Sequence, residues 1–297
     1  MGFDMTGTYT LDKLVVLMRV DAAQLQTMIL RIGAGAQKDY GLLARQWFST
    51  KVGTYKHNYI IEIDKGVSYY IGIQRWDDAP NEYRVNLKLE FNPAKVSGYS
   101  EFLAVYNDLL MMAYHVDFGR YDIAIDIPIP RDRVQLRKDQ RRYLDYCYSS
   151  SNRTEYLGQR SDHGHVKVYN KALEQGVEGD LTRVEITLDY ERSTWAEFVR
   201  VFPDVYYFDR DLEQSADVGG TDYVLMLACA DDVNRLSYLP FRAKKKIEQL
   251  LKQAALNLVP DEVQFKTILH EIRTFGKSIR PNLFEELESG EGFPKED

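Results

Sequence analysis

The stretch RYDIAIDI, residues 120–127, alternates strictly: Tyr121, Ile123, Ile125 and Ile127 fall on one face of an extended chain, and Asp122, Ala124 and Asp126 on the other. The same division recurs in TRVEITL (182–188), where Val184, Ile186 and Leu188 oppose Arg183, Glu185 and Thr187. In NLKLEF (86–91), Leu87, Leu89 and Phe91 oppose Lys88 and Glu90. In HVKVYNK (165–171), Val166 and Val168 alternate with His165, Lys167 and Tyr169. Strands of this kind bury one face and leave the other polar, as in antiparallel sheets. A shared sheet gathers Asp122, Asp126, Glu185, Lys167, His165 and Tyr169 on its polar face. A tyrosine is unexpected there, because its ring usually joins the apolar side.

Outward from these strands, the chain is strand-rich from about 10 to 190. LDKLVVLMRV (11–20) reads as a strand, and Asp21 can cap a helix over AAQLQTMILRI. HNYIIEID and SYYIGIQRW, separated by KGV, read as a hairpin, and YRVNLKLEF as another strand. GYSEFLAVYNDLLMMAYHV (98–116) carries helical spacing in Phe102, Val105, Leu109 and Met112. After about 190 the pattern turns helical: STWAEFVRVF, TDYVLMLACA, LPFRAKKKIEQLLKQAA and DEVQFKTILHEIR. There is no βαβ regularity, so the expected class is α+β: an antiparallel-sheet domain with helix-covered faces, then a helical C-terminal region. The polar, glycine-ended segment DRDLEQSADVGG (209–220) sets the boundary, giving domains of 1–208 and 209–297 with an acidic tail from about 284.

No run of 18 apolar residues occurs in the 297, so no transmembrane helix is expected, and MGFDMTGTYT lacks the basic and apolar regions of a secretory signal. Cys147 and Cys229 stand far apart without metal-ligand spacing, which suits a reduced, cytoplasmic protein. The formal net charge of −7 argues against a general polyanion binder, but the charge is uneven. RDRVQLRKDQRR (131–142) holds six basic residues against two acids, and FRAKKK (241–246) holds four against none.

Carboxylates crowded on one sheet face repel unless a cation sits among them. A hard divalent ion, Mg²⁺ or Mn²⁺, prefers oxygen ligands and suits Asp122, Asp126 and Glu185; the plain alternative is an ordinary solvated face. His163 and His165 form an HxH pair without a third ligand at fixed spacing, so they read as exposed turn residues. Tyr169 becomes a nucleophile only if cations such as Lys167 and Lys171, or a metal, offset a phenol pKa near ~10.

Four blocks, LEFNPAK (89–95), RYDIAID (120–126), TEYLGQRSDHGHVKVYNKALE (154–174) and TRVEITL (182–188), together resemble the rolling-circle plasmid replication initiators of the replication initiation factor (Rep-trans) family. The resemblance implies a metal-dependent nicking and closing enzyme with a covalent 5′-phosphotyrosine. It implies Tyr169 as nucleophile, Lys167 as the basic residue two before it, and Asp122, Asp126 and Glu185 as ligands of Mg²⁺ or Mn²⁺. It further implies a homodimer acting on a double-stranded plasmid origin with an extruded single-stranded nick site, served by a host helicase and polymerase. The origin-selecting segment falls by position on RLSYLPFRAKKKIEQLL (235–251), where Arg242, Lys244, Lys245 and Lys246 are the expected DNA contacts. The alternatives are a conjugative relaxase of the same family, which commonly carries an additional N-terminal DNA-binding module, and a non-enzymatic DNA-binding regulator of replication.

Overall fold

The structure is a computed structural model that describes residues 8–21, 43–49, 55–75, 84–160, 162–208 and 218–277. The helix expected over 22–32, most of the 209–220 boundary and the acidic tail lie outside these residues. The chain clusters into two compact units: Leu11–Tyr121 with Glu262–Asp297, and Met1–Thr10 with Asp122–Asp261.

In the first unit, strands β1 (Thr8–Asp21, from Leu11 onward), β2 (Leu43–Phe48), β3 (His57–Asp64), β4 (Val67–Arg75) and β5 (Arg84–Phe91) pair antiparallel in the order β2-β3-β4-β5-β1. The expected hairpin is present, turning at Lys65 and Gly66. Gly66 has a φ of 76°, a region where a Cβ would be strained. The helix Ser100–Met112 buries Phe102, Val105, Tyr106, Leu109 and Leu110, a face repeating at three and four residues. It packs through rings: Phe91 lies 4.9 Å from Phe102 and 5.5 Å from Phe275, centroid to centroid. Phe275 belongs to the last described helix, Glu262–Lys277, so that helix is part of this unit.

The helical reading of 98–116 runs too far. At Ala113 the chain passes into β6 (Ala113–Ile127), where Val116 and Phe118 are buried alternately. Period-two burial of these two residues outweighs a helical pattern that a few apolar residues could have continued.

The second unit holds β6 from Asp122 onward, followed in sheet order by β11 (Thr182–Asp189), β10 (His165–Asn170), β9 (Arg153–Leu157) and β8 (Tyr143–Cys147). The pairings β11–β10, β10–β9 and β9–β8 are antiparallel. Ile123, Ile125, Ile127, Val166, Val168, Val184, Ile186 and Leu188 are all essentially inaccessible, so the apolar faces form the core as their alternation requires. A small second sheet joins β7 (Val134–Leu136) to β12 (Val205–Tyr207).

An α+β fold with a large antiparallel sheet and a helical C-terminal region is therefore what forms. The compact units, however, do not follow a division at 208/209. Helices Gly220–Asp231 and Phe241–Ala254 share a hydrophobic cluster with Tyr206 and Phe208, through Met226, Cys229, Ile247, Leu250 and Leu251. Burial of those side chains, at roughly 25 cal/mol per Å² of apolar surface, ties both helices to the strand-bearing unit.

The basic run 131–142 is largely consumed by internal pairing. Arg131 is 1% exposed and is paired to Glu155, also 1% exposed; it donates to the Val134 carbonyl at 2.6 Å. Tyr143 donates to the other oxygen of Glu155 at 2.6 Å. Arg137 meets Asp204 and Lys138 meets Asp231, each at 2.6 Å. Arg141 pairs with Asp139 and donates to the carbonyls of Gly164 (2.6 Å) and Val201 (2.8 Å). Four of the six cations of this run thus meet a local acid or carbonyl, which limits what a net excess in sequence can contribute to a basic groove.

Candidate active site

The site is built on β10 and β11. Their register sets Lys167 opposite Glu185 and Tyr169 opposite Arg183, so these four side chains share one face. This is the polar face expected from alternation, but it is not open to solvent at Tyr169, which is only 5% exposed. After Asn170 caps the short helix Lys171–Gln175, Lys171 and Glu174 fold back toward the ring. What covers a strand residue here comes from the next element.

The phenolic hydroxyl donates to Glu185 Oε1 at 2.6 Å and stands 3.5 Å from Glu174 Oε2. Lys171 Nζ donates to the same hydroxyl at 3.4 Å and is ion-paired with Glu174. Lys167 Nζ lies over the Tyr169 ring, 3.7 Å from its centroid, and 3.8 Å from Glu185 Oε2. Lys167 therefore faces the π-cloud and the carboxylate, while Lys171 is the cation nearest the oxygen. Burial, and then the negative charge of Glu185, hold the phenol well above its ordinary pKa. The proton stays on Tyr169 in this arrangement, already directed at an acceptor.

Asp126 is held by Arg183 through two parallel hydrogen bonds, Nε to Oδ1 at 2.6 Å and Nη2 to Oδ2 at 2.7 Å. Asp122, two strand repeats earlier on the same face, is buried at 8% exposure. Among the described residues, no three His, Cys, Asp or Glu side chains come together as a metal-holding group. Asp122, Asp126 and Glu185 do not fit a divalent cation as they are paired here: a guanidinium fills the place of the cation at Asp126, and Tyr169 with Lys167 occupies Glu185. Alternation placed Arg183 on the face of Glu185, but neither its position across from Tyr169 nor its role as the counter-ion of Asp126 was visible in the sequence. Glu174 carried no periodic signal.

The two histidines are not exposed turn residues. His165 is buried, and the His163 side chain is 3% exposed, its Nδ1 accepting from the Asp189 backbone N–H at 3.0 Å. Its Nε2 faces Glu197 at 3.6 Å, and burial lowers its pKa. Gly164 between them has a φ of 78°, and a Cβ there would lie 2.9 Å from Val201 Cβ. The pair thus fixes the turn leading into β10.

Of the expected DNA contacts, the helix Phe241–Ala254 buries Ile247, Leu250 and Leu251, and leaves Arg242 and Lys245 exposed. Lys246 is paired to Asp222 at 2.6 Å, and Lys244 lies 3.9 Å from Glu248. Tyr238 and Phe241, just before and at the helix start, are also exposed.

Compared with known proteins, the chain is 25% identical over 206 residues to a "Replication initiation protein" of Staphylococcus aureus. The chain resembles a replication initiator. The match covers 66% of this chain and 60% of that protein, so it spans less than two thirds of the relative's length. This agrees with the resemblance carried by the four sequence blocks. A solved rolling circle replication initiator protein from Geobacillus stearothermophilus is also similar, at 18% identity over 62% of this chain and 75% of that one, with a TM-score of 0.35. No family model matches the chain.

Proposed function

We propose that this chain initiates rolling-circle DNA replication by nicking one strand at an origin and holding the new 5′ end on Tyr169. The observation that carries the reading is the Tyr169 hydroxyl, set 2.6 Å from Glu185 and 3.4 Å from Lys171 at the position where the sequence resemblance puts a nucleophile. Tyr169 Oη attacks the scissile phosphorus, the bond to the 3′ oxygen breaks, and the 3′ oxygen leaves with a proton from water. Glu185, which already accepts the phenolic hydrogen bond, takes the proton of the Tyr169 hydroxyl. Because phenolate is disfavoured until then, proton transfer accompanies attack. Lys171 and Lys167 offset the charge that develops on the phosphoryl oxygens. The ester keeps the energy of the broken bond, so a later attack by a 3′-OH rejoins the strand.

The requirement for Mg²⁺ or Mn²⁺ belongs to this reading through the resemblance alone, and no step above passes through a cation. The same holds for a homodimer, for a host helicase and polymerase, and for the C-terminal helices as the part that selects the origin. The test is incubation with a supercoiled plasmid carrying a candidate origin, with either metal or with EDTA. Open circles bearing protein on the 5′ end are the expected product. Nicks without an adduct point to a nuclease that uses water, and binding without nicks points to a regulator.

The helix Phe241–Ala254 gives a second expected outcome. Replacing Lys244, Lys245 and Lys246 with alanine weakens binding to every duplex and flattens the salt dependence by about one unit of slope per lost phosphate contact. Lys246 contributes least, being already held by Asp222. Arg242→Ala instead erodes the preference for the true origin by about 1–3 kcal/mol, the worth of a bidentate contact to a guanine edge. Salt titrations on origin and random duplexes check both; unchanged strength and selectivity remove this helix from the interface.

A further inference from the structure

The face that carries Tyr169 continues across β9 to β8, and there it changes character. Register sets Tyr156 opposite Lys167, Leu144 opposite Tyr156, and Tyr146 opposite Thr154. Tyr146 and Tyr156 therefore stand on the face of Lys167 and Tyr169. Their rings meet edge to face at 5.9 Å and 85°, and Tyr156 in turn stacks on His165 at 5.8 Å and 30°. Three aromatic rings thus form a line across three strands that ends beside Lys167 and Tyr169. The outer end of the line is uncovered: Tyr146 is 54% exposed, and Tyr148, just past the end of β8, is 84% exposed.

The exposed end of this line needs a reason, because the fold leaves the Tyr146 ring open to water beside a half-buried Tyr156 and a buried His165. The surrounding charge indicates what would cover it. Lys167, which stands opposite Tyr156, is partly exposed, and Arg160, four residues after Tyr156, is exposed. Glu185, on the same face, accepts from Tyr169 at 2.6 Å and lies 3.8 Å from Lys167, and Asp145, on the other side of its strand, is paired with Arg153 at 2.8 Å. Flat rings flanked by Lys167 and Arg160, with Glu185 and Asp145 already holding partners, fit a polyanion that presents flat π-faces.

We propose that Tyr146 and Tyr156 form a base-stacking platform for single-stranded DNA, holding the nucleotides next to the phosphate that Tyr169 attacks. The proposal rests on the reading of Tyr169 as a nicking residue only for which nucleotides are held; that single strands bind there stands on the rings. Base-paired DNA keeps its π-faces inside the helix and gains nothing from this surface, whereas unpaired bases of any sequence can stack on it. The platform therefore rewards the melted nick site over the duplex.

The test uses the full chain with Tyr169→Phe, so that no adduct forms, and a short fluorescent oligodeoxythymidylate read by anisotropy. Tyr146→Ala, an exposed position that the fold does not need, lowers affinity about 5- to 100-fold, the range for losing one stacked base. Tyr156→Leu does the same, while Tyr146→Phe and Tyr156→Phe keep affinity because they keep the ring. An oligonucleotide with abasic sites binds the parent protein weakly and loses little more with Tyr146→Ala. Duplex binding is unchanged throughout. Unchanged oligonucleotide affinity in Tyr146→Ala overturns the proposal, as does an equal loss for duplex, or a change of oligomeric state that assigns the rings to a second copy. A failure of the nicking reading shows separately, as protein–DNA adducts that persist in the Tyr169→Phe chain.

Discussion

Tyr169→Phe removes nicking and the covalent adduct together and leaves origin binding close to that of the parent. The substitution deletes one oxygen, the atom that donates to Glu185 at 2.6 Å, and leaves the ring under Lys167 in place. Stability falls as well. The hydroxyl is buried rather than solvent-facing, so its loss takes a hydrogen bond from a charged acceptor and costs about 1.5–3 kcal/mol. Glu185→Gln separates the two roles. It keeps a side-chain oxygen for the hydroxyl but removes the base, and adduct formation slows by ~10²–10⁴-fold. Quenched-flow measurement of adduct on a supercoiled origin plasmid, with urea denaturation in parallel, checks both variants. Full nicking by Tyr169→Phe moves the nucleophile elsewhere, with Tyr156 the next tyrosine on that face.

Arg131→Met is expected to cost about 3–5 kcal/mol, because it strands the Glu155 carboxylate in the core without its counter-ion. Both side chains of the pair are almost wholly inaccessible. Tyr143 and Arg153, at 2.6 and 3.2 Å from Glu155, soften the loss without replacing the cation. The double variant Arg131→Met, Glu155→Leu recovers most of the stability, since an apolar pair of similar volume asks for no solvation. Denaturation midpoints of the two variants decide the matter. Equal losses in the single and double variants would mean that packing around Arg131, and not the ion pair, carries the effect.

Much of this arrangement was legible because strands write their faces into alternate residues. Ile123, Ile125, Val184 and Ile186 could only be a core face, and that put Glu185, Lys167 and Tyr169 together on the other face from the sequence alone. The helix Phe241–Ala254 was legible for the same reason, through Ile247, Leu250 and Leu251. Burial at Tyr169 was not, because its cover comes from Lys171 and Glu174 on the following helix, and a strand pattern carries no information on what packs over it. The pairing of Asp126 with Arg183 was hidden differently: alternation places two side chains on one face but does not say that opposite charges will close on each other. Strand Tyr143–Cys147 was missed because YLDYC is half-exposed and follows a run of charges, with no apolar face to mark it. The internal pairing of the basic run 131–142 was hidden as well, because composition counts cations without counting the acids and carbonyls that meet them.

Edge strand β8 also carries a practical opening. Of the two cysteines in the sequence, Cys147 is exposed at the end of that strand, while Cys229 is buried and its thiol pushed up by burial. A maleimide at neutral pH therefore reacts at one place without any engineering. A fluorophore or spin label on Cys147 sits beside Tyr146 but points to the opposite side of the strand, so it reports on events at the rings without occupying them. Paired copies labelled this way also yield a distance between equivalent strands, and with it the stoichiometry of the assembled species in solution.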